Sequence, residues 1–153
     1  PPLIADFQHT CLERLDATRD PDAVLALLLT QIDRLAAGVD PGDLVIRTRV
    51  SQPAGAYTQR THTVAALERA AAAGIEVHPG QDVRFVVVDD AADSADRVAL
   101  AHEPIDRYDV AFYRDELVRA TASILRPLGM DAAAIRAALA DTRELPLSHW
   151  NDC

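Results

Sequence analysis

Leu44-Val45-Ile46-Arg47-Thr48-Arg49-Val50 moves from apolar side chains into alternation with arginine, as a strand with one buried and one wet face does. Asp40-Pro41-Gly42 turns the chain before it, and a polar loop containing Pro53 and Gly55 follows it as far as His62. A helix over about Thr63 to Ala73 comes next, with Val64, Leu67 and Ala71 inward. Gly74 stops that helix in the left-handed conformation glycine adopts without steric cost. Ile75 and Val77 return to extended chain, Pro79-Gly80 turns, and Val83 to Val88 carries the strongest strand signal in the sequence. Being β-branched and nearly all apolar, that second strand is central or covered.

Working outward, both flanks read as helix. Leu3, Phe7, Cys11 and Leu15 recur every four residues, with Ile4 and Leu12 beside them, which puts one helix over residues 3–16. Asp20 caps a second helix, Pro21 suits its first turn, Val24, Leu25, Leu28, Leu29, Ile32 and Leu35 form its stripe, and Gly38 ends it. Past the strands, Asp89 to Asp96 reads as a solvated acidic loop and Val98 to Leu100 as a short strand. Asp109 caps a long helix with the stripe Val110, Tyr113, Leu117, Ala120 and Ile124, ending at Arg126-Pro127; Asp131 caps a shorter one carrying Ile135 and Leu139. The tail from Thr142 has no periodicity. The fold class is therefore α+β and mainly helical: a two-helix preface, a small β-sheet with a crossing helix, and a long C-terminal helix.

The charge distribution singles out the first strand. The chain has 153 residues and a net charge of −9, yet residues 43–63 hold one acid, Asp43, against Arg47, Arg49 and Arg60, a local balance of +2. Residues 1–42, 64–88, 89–109 and 110–153 are each negative. All fifteen basic residues are arginine. An acidic protein repels nucleic acid at a distance, so any contact with it belongs to this strand and loop. Arg47 and Arg49 share one face, and Ser51, Thr58, Arg60, Thr61 and Thr63 add donors suited to phosphates and sugars rather than base edges. On the residues alone a second reading stands beside it, in which the two strand arginines simply pair with acids such as Asp43 or Asp82.

Other chemistry finds little footing. His9, His62, His78, His102 and His149 are scattered, without a His-x-x-x-His pair or a Ser/His/Asp grouping, and Asp89, Asp90, Asp93 and Asp96 lack the Gly and closing Glu of a calcium loop. Cys11 lies on an apolar stripe and Cys153 is the last residue, which excludes a metal knuckle and gives no sign of an oxidising compartment. No run approaches the roughly 18 apolar residues of a membrane span, so no membrane partner is expected and a cytoplasmic setting fits. The opening Pro1-Pro2, without Met or leader, reads as a piece of something longer.

The ordered set of features is more specific than any one of them. It runs from Ile46-Arg47-Thr48-Arg49-Val50 through Gln52-Pro53 to Tyr57, then Gly74-Ile75-Glu76-Val77, Pro79-Gly80 and Val83 to Val88. It continues with Asp96-Arg97, Tyr108-Asp109, Phe112-Tyr113 and Ile124-Leu125-Arg126-Pro127-Leu128-Gly129. This order resembles the C-terminal thumb region of family B DNA-directed DNA polymerases. The resemblance implies a helical connection from the palm over 1–42, a thumb over 43–141 and a tail over 142–153. It implies a domain that grips primer–template duplex DNA through Arg47, Arg49, Ser51, Thr58, Arg60, Thr61 and Thr63 while nucleotidyl transfer occurs elsewhere. The chain has no palm-like Asp-Thr-Asp motif, so it holds no cofactor itself, and Mg2+ belongs to the palm of the parent. A sliding clamp is a possible partner, but Leu145 to Cys153 lacks the Gln and paired aromatics of a clamp-binding box.

The departures from the family pattern remove contact groups. Thr48 stands where many members carry Lys, Ser51 and Gln52 where some are basic, and Thr61-His62-Thr63-Val64 where Gly/Pro-Pro-His-Val is common. Asp115-Glu116 replaces an amide pair. They imply a weakened grip, and they keep open the alternative of a degenerate, non-catalytic thumb-like interaction or scaffold domain.

Overall fold

A computed structural model describes residues 1–52 and 61–143. Five helices and a small antiparallel sheet make it mainly helical α+β, as the sequence pattern requires. Among these residues no helix is long and apolar enough to cross a membrane. By contact the described residues form two compact units, one from 1–3 and 39–113 and the other from 4–38 and 114–143. The leading helices thus group with the C-terminal ones rather than with the strands that follow them in sequence.

The helical unit is built from α1 (Pro2–Thr18), α2 (Pro21–Ala37), the later turns of α4 (Val110–Leu125) and α5 (Ala132–Arg143). Asp20 caps α2 by accepting the Asp22 N–H at 3.0 Å, and the Gly38 N–H closes it on the Arg34 carbonyl at 3.0 Å. Val24, Leu28, Ile32 and Leu35 are buried from α2, and Ile4, Phe7 and Cys11 from α1, whereas Leu12 is 53% exposed. Burial removes the thiolate from water and pushes the Cys11 thiol up to about 11, so this cysteine serves as a core side chain. The buried Thr121 hydroxyl turns back onto the Leu117 carbonyl at 2.8 Å, leaving no polar debt inside the helix. Asp131 caps α5 through the Ala134 N–H at 2.9 Å.

The sheet unit has the strand order β1-β2-β3, with β1 Ile46–Arg49, β2 Asp82–Val87 and β3 Val98–Leu100, both pairings antiparallel. The crossing helix α3 (His62–Ala72) lies against β2, β3 and a 3-10 turn over Ser94–Arg97. Ala65, Ala66 and Ala70 join Val64 and Leu67 in its buried face, and small side chains there let the helix approach closely; Ala71, expected inward, is exposed. Gly74 takes φ 78°, and the Ile75 N–H returns to the Ala70 carbonyl at 2.8 Å, the left-handed stop read from the sequence.

Strand β1 is shorter than expected at its start. Pro41–Leu44 forms a 3-10 turn, nucleated by the Asp40 side chain accepting the Gly42 N–H at 2.9 Å. Extending the register in which Ile46 faces Phe85 would place Leu44 opposite Val87. That rung does not close directly. The Tyr113 hydroxyl occupies it, accepting from the Val87 N–H at 2.9 Å and donating to the Leu44 carbonyl at 2.9 Å. The Val87 carbonyl in turn accepts from the Asp109 N–H at 3.0 Å, while Asp109 caps α4 through the Phe112 N–H at 2.9 Å.

Candidate nucleic-acid interface

Residues directly opposite in an antiparallel pair point to the same side of the sheet, so the register decides which charges share a face. Arg47 is opposite Arg84, and Arg49 is opposite Asp82. Three arginines and one aspartate therefore form the corners of a four-residue patch on the β1–β2 face, with a net charge of +2 from these side chains. Arg47, Arg49 and Arg84 are exposed and Asp82 is half-buried. On the opposite side Val83, Phe85 and Val87 are buried, which fixes the strand's orientation and forces the arginines outward.

Asp82 does not bond the arginine it faces. Its Oδ2 accepts from both Nε and Nη2 of Arg47, diagonally across the strands, at 2.6 Å each. The second of the two sequence readings thus has a real component, since one strand arginine is paired. With 63% of the Arg47 side chain exposed, such a bond contributes only about 0–1 kcal/mol, and a phosphate can replace it. Among the described residues no acid pairs with Arg49 or Arg84.

The remaining expected contact residues separate. Ser51 is exposed just beyond β1. Thr61 is the N-cap of α3, its hydroxyl accepting the Val64 N–H at 3.3 Å, and it lines a cleft with Glu68, Asp90, Asp93 and Arg97 whose acids disfavour a phosphate. Thr63 is half-buried in the first turn of α3. Thr58 and Arg60 lie outside the described residues. Arg84 was missed in the sequence because it interrupts a strand read as apolar; the signal was its spacing of two from Asp82, which puts both on the outward alternation.

A second cluster of charge in this unit is paired internally. Arg69 makes a bidentate contact with Glu103, Nε and Nη2 each 2.7 Å from a carboxylate oxygen, and its Nη1 donates to the Ala95 carbonyl at 3.3 Å. Arg97 Nη2 donates to Asp90 Oδ1 at 2.7 Å, and His62 Nε2 meets the same oxygen. The Arg97 hydrogen bond first, and that of His62 second, hold the Asp90 carboxyl below the usual carboxylate range; Arg69 does the same for Glu103. The acidic loop is therefore tied to α3 at Asp90 rather than merely solvated. Among the described residues no three histidine, cysteine or carboxylate groups converge as a metal ion would need.

With this geometry in hand the chain can be set beside known proteins. No family model matches it. It is 26% identical over 154 residues to a DNA polymerase of Thermococcus kodakarensis, covering 97% of this chain and 9% of that protein. Among solved structures it is similar to the family B DNA polymerase of the hyperthermophilic archaeon Pyrobaculum calidifontis, with a TM-score of 0.68 over 78% of this chain and 17% of that one, at 20% identity. The chain has the fold of a family B DNA polymerase segment. The resemblance to family B polymerases drawn from the order of residues is thus present in both sequence and fold. The chain spans about a tenth of the length of the curated polymerase it matches.

Proposed function

We propose that this chain is the thumb, with its palm-connecting helices, of a family B DNA polymerase, and that it closes on primer–template duplex by sequence-independent contacts to the phosphate backbone. The observation that carries the reading is the exposed arginine patch on β1–β2, the place where the polymerase resemblance puts contact groups, in a chain that is otherwise acidic. Such a patch holds a duplex in register without reading its bases. The nucleotidyl transfer, and the Mg2+ it uses, would reside in a palm outside this chain. The boundaries would be 1–42 for the connection, 43–141 for the thumb and 142–153 for the tail, a division by role rather than by compactness.

Binding of short duplex DNA as a function of salt tests this. Engagement of about three phosphates gives a log-affinity against log-salt slope near −3, equal for unrelated sequences. Arg60, outside the described residues, supplies one of those contacts on the strength of the resemblance. A chain that binds no duplex at moderate salt and high protein concentration would instead be a thumb-like scaffold or interaction domain, which the Arg47–Asp82 pairing and the acids at 115 and 116 would then explain.

A further inference from the structure

We propose that Asp82 is a resident counter-ion that keeps Arg47 from the backbone of a nucleic acid, and that Arg84 serves beside Arg49 as a phosphate contact of the β1–β2 face. This rests on the duplex-binding reading above and specifies which groups of that patch perform it.

Asp82 stands opposite Arg49, yet both of its contacts go to Arg47 through one oxygen, Oδ2. Two of the three guanidinium forks on the face are consequently left exposed with no acid bonded to them among the described residues, and one is filled. Arg47 and Arg84 are also directly opposite each other, an arrangement of like charges that is unfavourable without an anion between or beside them. Asp82 supplies that anion for Arg47. A backbone phosphate offers arginine the same bidentate acceptor pair, with more acceptor oxygens, and can do so for Arg84 and for Arg49, one phosphate to each. Because the carboxylate and the phosphate compete for the same Nε and Nη2 of Arg47, recruiting Arg47 is an exchange of one anion for another. It releases no net charge, so Arg47 adds little to the salt dependence while Asp82 is present.

The test is a set of salt titrations of duplex binding on the full 153-residue chain. Arg84→Ala should make the slope shallower by about 0.9, the share of one phosphate, and Arg84→Lys should restore most of it. Arg47→Ala alone should leave the slope nearly unchanged. Asp82→Asn should steepen it by about 0.9 by freeing Arg47, and adding Arg47→Ala in that background should remove the gain. If the unaltered chain binds no duplex, this inference falls together with the reading beneath it. If the unaltered chain binds but Arg84→Ala keeps its slope, or Arg47→Ala costs as much with Asp82 as with Asn in its place, only this inference is overturned. All three substituted positions are solvent-facing or half-buried at the sheet surface, and circular dichroism of each variant separates lost binding from lost folding.

Discussion

Arg69 and Arg97, at the contact of α3 with the loop between β2 and β3, have side chains one-third exposed or less and close onto Glu103 and Asp90; Arg49 and Arg84, on the β1–β2 face, are exposed and meet no described acid. The side chain is the same in both places, and the surroundings decide what it does. Where a carboxylate is partly withdrawn from water, a guanidinium bonded to it becomes part of the structure. Where the one acid on the face is already bonded to another arginine, as Asp82 is to Arg47, the fork stays available to a partner. Arg47 stands between the two cases, exposed yet bonded to Asp82.

Removing a structural arginine should have the largest effect. Arg69→Ala leaves Glu103 partly buried without its fork and strips a donor from the Ala95 carbonyl, which should destabilise the chain by about 2 kcal/mol in urea unfolding. Its effect on the salt slope of duplex binding should be nil; a change there would erase the distinction between the two groups of arginines.

Acid offers a gentler probe of the same cluster. Asp90 and Glu103 titrate lower in the folded chain than in the unfolded one, so the unfolded state binds protons first as pH falls. Their contribution is complete above the unfolded carboxylate range, near pH 4, and is lost as pH drops through the lower folded values. Glu103→Gln should flatten the decline of stability with pH below about 5, read from urea unfolding across that range.

Arg49→Ala reverses the pattern: within about 0.5 kcal/mol of the original stability, but with a slope shallower by about 0.9. A stability loss of several times that size would show that Arg49 has a structural partner after all. The smallest effect belongs to the acids of α4. Asp115 lies 3.6 Å from Arg136 and Glu116 lies 3.5 Å from Arg119, both pairs in the helical unit. Asp115→Asn with Glu116→Gln frees two arginines along with removing two acids, and duplex affinity should rise by no more than about twofold at physiological salt.

Much of the fold could be read from residues whose effect is local. Asp20, Pro21 and Gly38 bound α2, Gly74 ends α3, and Asp109 and Asp131 cap the last helices, because caps and left-handed stops act within a turn of their own position. What escaped reading depends on partners far away in sequence. The early end of the ladder at Ile46 comes from Tyr113, 69 residues from Leu44, and the role of Asp82 depends on whether it reaches Arg47 or Arg49, which only the register decides. Arg84 belongs to the same class: its neighbours in sequence are Val83 and Phe85, while its neighbour on the sheet is Arg47. The basic strand itself was legible from composition, because a local excess of charge needs no tertiary information.

The Tyr113 hydroxyl works as a stop on a zip. It relays one hydrogen bond between two backbones that would otherwise meet, and so sets where the β1–β2 hairpin ceases to be a hairpin. Phenylalanine at this position would keep the ring as a spacer and lose the relay, so the rung could not close and the Val87 amide would have no acceptor. Amide exchange at Val87 should then be faster than in the original chain, while its strand neighbours Phe85 and Val86 keep their protection. A single oxygen atom would be seen as a local change in a clock rate, with the rest of the sheet keeping time.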